Sequence, residues 1–287
     1  MISIIGIGNA ASAIADKFAK IPQYDVYRLN SKIEQSNKNE LKIGAYPTPE
    51  QYEENIPNVK KFLKNARDRV QVFVMGSSFS SIYSLGILQQ IKDREVDVFY
   101  IKPDIELLTG IPRLIENTTY GILQEYARSG LFRSLTILSN ENIERVHEKI
   151  NLKNYYDILN ETIFSCVHYM NYFEHTEPHV GNVSKPHEIN RIRSVSILNM
   201  KNLRENWLFD LDTHRELCYY MCINNDRLEN EIGLHKKLVD ILKTKPRNAY
   251  RKISYAIYET QLPDFGFCVA HTNAIQQQKT LDKLEQE

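Results

Sequence analysis

The sequence predicts an α/β fold: a parallel sheet with helices, then one long helix, then a smaller α+β unit. Two observations support this prediction. Over the first half of the chain, short apolar runs rich in β-branched residues alternate with stretches of helical spacing. After a long helical stretch at 155–173, three more strand-like runs follow, with a helix between the first two. The alternating first half favours a parallel sheet, and the second half favours a separate unit.

The composition argues against several classes of protein. Basic and acidic residues balance at 36 each over 287 residues. We therefore expect neither general nucleic-acid binding nor a strongly charged protein surface that binds membranes. No apolar run approaches the roughly 20 residues that a membrane-spanning helix needs. The chain opens directly into a strand-like run without a basic leader, so we expect no signal peptide.

Cysteine and histidine spacing indicates neither disulfides nor a metal site. The four cysteines lack CxxC spacing and lie in apolar segments, which is typical of a reduced cytoplasmic protein. They are Cys166, Cys218, Cys222 and Cys268. Pro178 lies between His175 and His179, and no third ligand follows at a clear spacing, so we interpret these histidines as loop residues and expect no metal.

The first strand-to-turn segment contains a glycine pattern. A buried strand is predicted at 2–7, and 10–18 has the apolar spacing of a helix. Gly6, Gly8 and Ala11 satisfy the GxGxxA fingerprint of dinucleotide-binding turns, with Asn9 at the start of the helix. The second strand, 25–29, ends at Asn30, where a nicotinamide enzyme usually has an acidic residue for the ribose. This ending weakens the nicotinamide interpretation.

The stretch around residues 70–91 is the centre of the prediction. A strand at 70–75 breaks at Gly76 into small hydroxyl residues, and helical spacing returns at 82–91. The hydroxyl residues are Ser77, Ser78, Ser80 and Ser81. Such a turn can bind an anion through backbone N–H groups, the helix dipole and serine hydroxyls. An ordinary serine-capped turn explains the same residues, and both interpretations stay open.

The other elements of the first half follow the same alternation. Residues 31–57 are polar and contain three prolines, which predicts a loop with one short helix, and 59–66 looks helical. Strands are predicted at 96–101 and 131–138, and helices at 111–129 and 141–146. In a parallel sheet all the strands end at one edge. The turns expected to meet there are those at Gly6, Asn30, Gly76, Lys102 and Asn140.

The second half changes character after the long helix. A loop with two prolines and one glycine ends that helix, and a short helix is expected at 187–193. Strands are predicted at 217–223, 253–259 and 266–271, with a helix at 232–242. The polar residues 273–287 predict a tail that is frayed, or helical only in contact with a partner.

The order of these parts resembles the tubulin/FtsZ superfamily of GTP-binding, filament-forming proteins. The resemblance spans Ile2 to about Thr272 and rests on element order and several turns. The similar segments are IGIGNAASAIADKF, RLNS, VFVMGSSFSSIYS, YIKPDIELLTGIPR, ILSNENIERV, YYDILNETIFSCV and the later strands ELCYYMCI, ISYAIYE and FGFCVAHT. The third resembles the family's GGGTGTG-type signature loop, and the later strands resemble its assembly domain.

The resemblance implies a guanine-nucleotide site. Arg113 takes the place of an arginine that approaches the nucleotide, and Asn140 lies in the segment similar to the base-contacting loop. Tyr156 takes the position of the aromatic that stacks on guanine, and Asn160 that of the side chain that bonds the base. Positions i and i+4 share one helix face, so both could reach one ring.

The chain also departs from the family pattern. The signature loop keeps only Gly76, and Phe79 must point away from the phosphates or fill part of their space. Where relatives carry an acidic catalytic loop, this chain has GNVSKPHEINRIRSV, with Glu188 nearest to the first carboxylate and Arg191 at the second. A cation cannot orient water as a carboxylate does, so weak or no GTP hydrolysis is expected. Arg191 and Arg193 are interpreted as surface charges.

The sequence therefore predicts a divergent tubulin/FtsZ-like protein. It would bind GTP or GDP, with Mg2+ as a possible companion, and assemble head to tail with copies of itself. The predicted organisation is a nucleotide-binding domain at 1–154, a central connecting helix at 155–180, an assembly domain at 181–272 and a tail at 273–287. Two alternatives remain: a tubulin-like scaffold that has lost its nucleotide, and a Rossmann-type enzyme binding NAD or a sugar phosphate.

Overall fold

The computed structural model describes residues 1–147, 149–246 and 251–277. In these ranges twelve strands form one sheet. The strands are β1 (Ile2–Ile7), β2 (Tyr24–Asn30), β3 (Glu40–Lys42), β4 (Arg69–Met75), β5 (Glu95–Lys102), β6 (Ser134–Ser139), β7 (Val180–Asn182), β8 (Ile192–Asn199), β9 (Arg204–Trp207), β10 (Glu216–Asn224), β11 (Lys252–Thr260) and β12 (Phe265–Thr272). The α-helices are α1 (Asn9–Phe18), α2 (Pro49–Glu54), α3 (Phe79–Gln90), α4 (Gly110–Ser129), α5 (Asn140–His147), α6 (Tyr155–Glu174), α7 (Asn225–Asn230) and α8 (Leu234–Thr244).

The first half is a parallel sheet in the order β3-β2-β1-β4-β5-β6. Helices cover both faces, so the central strands are apolar throughout, and Ile5, Val72 and Val98 are fully buried. All six strands end at the same side of the sheet, here called the carboxyl edge; their starts define the amino edge. The predicted convergence of turns at one edge follows directly from this pairing.

The second half continues the same sheet in the order β8-β12-β10-β11-β7. Among the described residues, strand pairing joins the halves at two positions, Leu135 with Ile192 and Thr136 with Arg193. Beyond them β6 and β8 diverge, and the hairpin strand β9 pairs with the free side of β8. The strands around β12 are antiparallel, whereas β10 and β11 are parallel. The fork between β6 and β8 therefore opens towards the carboxyl edge.

Helix α6 runs from one edge of the parallel sheet to the other. Its 20 residues span about 30 Å at 1.5 Å per residue. At its start the Tyr155 hydroxyl donates to Glu144 of α5 at 2.8 Å. Near its end Asn171 exchanges hydrogen bonds with Gln71 of β4. The predicted long helix is thus confirmed, and it connects the carboxyl edge to the amino edge. Eight of its 20 residues are buried, so it is less buried than predicted, and it ends at Glu174 rather than at 180.

A buried group of charges ties the two halves together at the amino edge. We call Asp97, Glu174, Arg69, Arg133 and Arg193 the ion network. The Asp97 carboxylate is fully buried and accepts hydrogen bonds from Arg133 at 3.0 Å and from Ser134 at 2.5 Å. Because Asp97 lies on β5 and Arg193 on β8, this network crosses the junction of the halves.

Several predictions about the elements were wrong. Residues 187–193 form no helix: a turn is followed by β8 from Ile192, and Arg193 is 6% exposed rather than a surface charge. Residues 59–66 contain only the single 3-10 turn Phe62–Asn65. Strands β3, β7, β8 and β9 and helix α7 were not predicted.

The beginning of the predicted tail is ordered by the fold. Gln276 is 2% exposed, and its backbone N–H donates to the Gln124 side chain of α4 at 2.6 Å. The prediction of a frayed tail is therefore wrong for residues 273–277; the residues from 278 onward lie outside the described ranges.

All four cysteines are buried and unpaired. Burial raises the pKa of the Cys166 and Cys222 thiols to about 12, so neither carries a reactive thiolate at neutral pH. Within the described ranges, every helix is too short or too polar to cross a membrane.

Candidate functional site

The first two loops of the carboxyl edge meet at an asparagine pair. Gly6 lies directly beneath α1, where a Cβ atom would come within 2.7 Å of the Ala11 carbonyl oxygen. Gly8 adopts φ +90°, a left-handed conformation that favours glycine, and its N–H donates to Leu29 at 2.7 Å. The Asn30 side chain then donates to the side chain of Asn9 at 3.1 Å. Two of the predicted turns are thus in contact.

The turn after β4 carries unpaired backbone donors. Gly76 donates to the Ile101 carbonyl at 2.9 Å. In the described part of the chain, the backbone N–H groups of Ser77, Phe79 and Ser80 donate no hydrogen bond. These groups lie at the start of α3, where the helix dipole also favours an anion.

Three of the four predicted serine hydroxyls of this turn, those of Ser78, Ser80 and Ser81, are engaged within the turn. Ser78 donates to the Met75 carbonyl at 2.9 Å, and Ser81 donates to the Ser78 carbonyl at 2.7 Å. Ser77 has φ 59°, a conformation that costs a non-glycine residue about 1–2 kcal/mol. Among the described residues, the free donors of this turn are therefore its backbone N–H groups and the Ser77 hydroxyl, rather than all four hydroxyls that the sequence emphasised.

Phe79 points towards the neighbouring helix α2. Its ring stacks on Tyr52, with the centroids 5.4 Å apart and the planes at 29°. Tyr52 also contacts Tyr46 and Tyr83, so Phe79 completes an aromatic cluster between α2 and α3. The bulky side chain is accommodated by this cluster and does not cover the start of α3.

Ser80 connects the central turn to the first one. Its hydroxyl lies over Gly8, in the space that a Cβ atom on Gly8 would occupy, and is 3.1 Å from the Ser78 hydroxyl. The two glycine turns are therefore in direct contact. This contact brings the donors together, and it also narrows the space between the turns.

A buried charged group supports the central turn from below. Glu116 of α4 is fully buried and accepts hydrogen bonds from the Tyr100 hydroxyl at 2.6 Å and from Lys102 at 3.0 Å. A Cβ atom on Gly76 would clash with the Glu116 carboxylate and come within 2.6 Å of the Tyr100 oxygen. Burial, followed by the charge of Glu116, raises the pKa of Tyr100 well above its ordinary value, so the hydroxyl keeps its proton.

The predicted base contacts lie at the start of α6. Asp157 and Glu161 both bind Lys17 of α1, at 2.7 and 2.9 Å. Tyr156 and Asn160 precede these residues by one position each, so they lie between the α1-facing side of α6 and its buried face. Tyr156 is 73% exposed, because the sheet ends below it. A flat ring could lie against it.

Two predicted residues are less closely integrated. Arg113 is half-buried in the first turn of α4, one turn before Glu116. Asn140 is half-buried at the start of α5, where β6 ends. Both lie at the carboxyl edge with the glycine turns. Neither makes a side-chain hydrogen bond within the described ranges, so both side chains can turn towards a ligand.

A cavity of about 870 Å3 opens beside α1 and the end of β2. Asn9 and Asn30 line it, together with Asp16 and Arg28, whereas Gly76 and Tyr156 do not. This cavity therefore flanks the asparagine pair on its outer side.

Glu188 lies away from all of these residues. It is exposed in the loop that leads to β8, and β8 begins beside the start of β6, at the amino edge. The Glu216 carboxylate holds this loop by accepting from the His187 N–H at 2.6 Å and the Asn190 side chain at 2.7 Å. Arg191 donates to the Phe132 carbonyl at 3.5 Å. Glu188 therefore cannot reach a ligand bound at the carboxyl edge of its own chain.

Sequence reasoning missed two parts of this site. Residues 43–48 follow β3, which is parallel to β2, so they also lie at the carboxyl edge. Thr48 and Gln51 resemble a capping box, and the Gln51 N–H donates to the Thr48 hydroxyl at 3.5 Å, so the pattern could have marked this helix start. Lys102 and Glu116 were missed as a buried pair because each looks locally like a surface charge.

Comparison with known proteins gives structural likenesses only. No protein-family profile and no curated protein sequence matches the chain. TubZ of Bacillus thuringiensis serovar israelensis, in a GTPγS-form protofilament, superposes with TM-score 0.71 at 12% identity, over 95% of this chain and 86% of that one. FtsZ of M. jannaschii gives 0.66 at 11%, over 94% and 88%. CetZ1 of Haloferax volcanii, a GDP-bound monomer, gives 0.64 at 13%, over 94% and 93%. These likenesses confirm the fold that the sequence predicts.

Proposed function

We propose that this chain, which has the fold of the tubulin/FtsZ superfamily, binds a guanine nucleotide at the carboxyl edge and assembles head to tail into filaments. The observation that carries the proposal is the row of unpaired backbone N–H groups at Ser77, Phe79 and Ser80, next to the Gly8 turn. In this proposal residues 1–154 hold the nucleotide, α6 separates the halves, and residues 181–272 serve assembly in the reducing cytoplasm.

Backbone donors at a helix start suit phosphate oxygens because they need no side-chain rearrangement. The stacking of Phe79 on Tyr52 keeps this approach free of a bulky ring. Asn9, Asn30 and Arg113 would complete the polar surroundings of the phosphates and ribose. Mg2+ would accompany a triphosphate through its phosphate oxygens, since the described residues contain no cluster of acidic or imidazole ligands for a resident ion.

The base would lie against the start of α6. The open face of Tyr156 offers a stacking surface, and Asn160 follows it by one helical turn. An amide can both donate and accept, as the guanine edge requires. Asn140, at the end of β6, would contact the base from the other side.

Assembly would join the carboxyl edge of one copy to the amino edge of the next. Leu107, Ile111 and Leu114 expose apolar surface at the carboxyl edge; Leu107 is 80% exposed. At the other edge Glu216 holds the turn that carries Glu188 and the exposed Ile189. Such a contact is heterologous and propagates as a filament unless it closes into a ring.

Hydrolysis would be weak or absent. Only in a head-to-tail contact could Glu188 approach the nucleotide of the neighbouring copy. The Glu188 carboxylate would then act without a second carboxylate, because Arg191 occupies the position where the family's catalytic loop has one. A lone flexible carboxylate orients water poorly, so we expect turnover far below that of a typical enzyme.

Calorimetric titration tests the nucleotide claim. We expect heat of binding with GTP and GDP, stronger with Mg2+ for the triphosphate, and much weaker binding of ATP and NAD. Preferential binding of NAD would instead support a Rossmann-type enzyme. Light scattering and negative-stain microscopy, with and without GTP, test assembly; a protein that stays monomeric at high concentration contradicts it.

A scaffold without nucleotide is the second candidate, and one contact favours it. The Ser80 hydroxyl lies against Gly8, so the turns that would cradle the phosphates touch each other. The substitution Ser80→Gly would remove this contact. If the wild type binds no nucleotide but assembles, and Ser80→Gly binds GTP, the site is closed by Ser80 and the chain is a scaffold.

A further inference from the structure

The segment 207–213, between β9 and β10, occupies the fork between the two halves of the sheet. Leu208 is fully buried, and its N–H donates to the Val195 carbonyl of β8 at 2.9 Å. The Ser194 hydroxyl of β8 donates to the Phe209 carbonyl at 2.7 Å. This segment, here called the fork segment, is therefore attached firmly to the second half of the chain.

The fork segment also holds the junction of β6 and α5. The Ser139 N–H donates to the Leu208 carbonyl at 2.7 Å. The Asn142 side chain donates to the Trp207 carbonyl at 3.2 Å and to the Asp210 carboxylate at 3.0 Å. Asn140 lies between these two anchored residues. Its position is therefore set by contacts with the second half as well as by the parallel sheet.

The C-terminal end of the described chain fastens the fork segment from a third side. The Asp212 N–H donates to the Gln276 side chain at 2.7 Å. Gln276 in turn exchanges hydrogen bonds with Gln124 of α4, in the first half: its N–H donates at 2.6 Å, and its carbonyl accepts at 3.2 Å. Gln124 is fully buried and Gln276 nearly so, so these bonds are shielded from water.

We propose that the fork segment is a positioning element for base recognition, with Asp210 as its key side chain. The inference rests on the proposed guanine-nucleotide site. Asp210 orients Asn142 and so fixes the first turn of α5, from which Asn140 reaches the base. The same segment is bonded to β8, so any shift of the second half relative to the parallel sheet would displace Asn140 without acting through α6.

The fork segment would link base affinity to movement of the second half in both directions. If movement of the second half changes the affinity for the base, then bound nucleotide changes the energy of that movement by the same amount. Movement of the second half would change the affinity for the base and not that for the phosphates. Among the described residues, the turns at Gly8 and Gly76 make no hydrogen bond to the fork segment. Phosphate binding and base recognition would therefore be separable.

The substitution Asp210→Ala tests the proposal by calorimetry with GTP, ATP and inorganic triphosphate. The variant loses the hydrogen bond from Asn142 and a 4.0 Å ion pair with Arg145, both on α5. This loss should weaken GTP binding about 3-fold to 10-fold and reduce the preference for GTP over ATP. Affinity for inorganic triphosphate should not change. Asp210→Asn keeps an oxygen that accepts from Asn142, so it should restore the preference. Asp240→Ala on α8 removes another exposed aspartate, whose ion pair among the described residues is with Lys243, and serves as the matched control.

The possible outcomes separate the two proposals. A wild type that binds no guanine nucleotide overturns the proposed function, and the inference with it. A wild type that binds GTP, with an Asp210→Ala variant of unchanged base preference, overturns the inference and leaves the function standing. Equal losses for GTP and inorganic triphosphate also overturn it, because they indicate general damage rather than base positioning. Thermal unfolding of each variant accompanies the titrations.

Discussion

Replacing Gly76 with alanine should destabilise the protein through one added methyl group. The new Cβ atom would meet the Glu116 carboxylate, the Tyr100 oxygen at 2.6 Å and a Pro103 carbon at 2.8 Å. The backbone cannot move away freely, because the Gly76 N–H is bonded to Ile101 at 2.9 Å. Overpacking of this kind costs about 1–3 kcal/mol. Turning Glu116 aside would leave the Lys102 ammonium without its buried partner, which costs about 3–5 kcal/mol.

We therefore expect Gly76→Ala to lower the free energy of unfolding by about 2–4 kcal/mol, between overpacking alone and full loss of the pair. In a chain of 287 residues the melting temperature should fall by about 3–7 °C. Thermal unfolding followed by circular dichroism measures both quantities.

Gly121, in the middle of α4, is the matched control for this substitution. A Cβ atom there would meet nothing within 4 Å, so Gly121→Ala should stabilise the helix by about 0.5–1 kcal/mol. If Gly76→Ala proves as stable as the wild type, then Glu116 and Tyr100 do not support the turn as described. If both variants lose stability equally, the loss has another origin than the clash at Gly76.

Three other predictions concern the base, the ion network and assembly. Asn160→Ala should weaken GTP binding about 3-fold to 10-fold in calorimetry without changing the unfolding curve; unchanged affinity would mean that α6 does not bind the base. Burial raises the pKa of Asp97, but the three arginines of the ion network together hold it below its usual range. The contribution of Asp97 to stability should therefore be complete above its unfolded pKa of about 3.9 and be lost as the pH falls through its folded pKa. Asp97→Asn should lower the free energy of unfolding by about 3–5 kcal/mol at pH 7 and remove this part of the acid dependence. Leu107→Asp should abolish GTP-dependent light scattering and leave GTP affinity unchanged, because it places a charge in the apolar contact.

Each of these predictions has a result that contradicts it. For Asp97→Asn, an unchanged slope of stability against pH below about 4 would show that other carboxylates carry the acid sensitivity. For Leu107→Asp, assembly at wild-type concentrations would move the contact away from the start of α4.

The parallel half of the fold could be predicted because its strands are buried on both faces. Strands such as β1 and β4 are nearly continuous apolar runs, each followed by a glycine turn, and the two strands pair in parallel. Strand β8 could not be recognised in the same way. Arg193, Ser194 and Ser196 interrupt its apolar pattern, yet all three are buried. Arg193 is satisfied by Thr136 and Asp97, partners on β6 and β5 that no local window contains.

The candidate site shows the same division between local and distant information. Gly8 and Gly76 can be recognised from the sequence because the turns at those positions require residues without a side chain. Glu116 and Gln276 do not, since their burial depends on partners contributed by other elements. The polarity of Gln276 predicts a solvated tail, but its exchange of hydrogen bonds with Gln124 makes burial favourable.

A structure of the protein determined with GTP and Mg2+ tests the central claim most directly. The account predicts density for phosphates at the N–H groups of Ser77, Phe79 and Ser80, with the purine against Tyr156. Ser80 would then have moved away from Gly8. If no nucleotide density appears at these N–H groups and at Tyr156 at saturating GTP, and Ser80 still lies against Gly8, the nucleotide claim is contradicted. Only the shared fold would then remain.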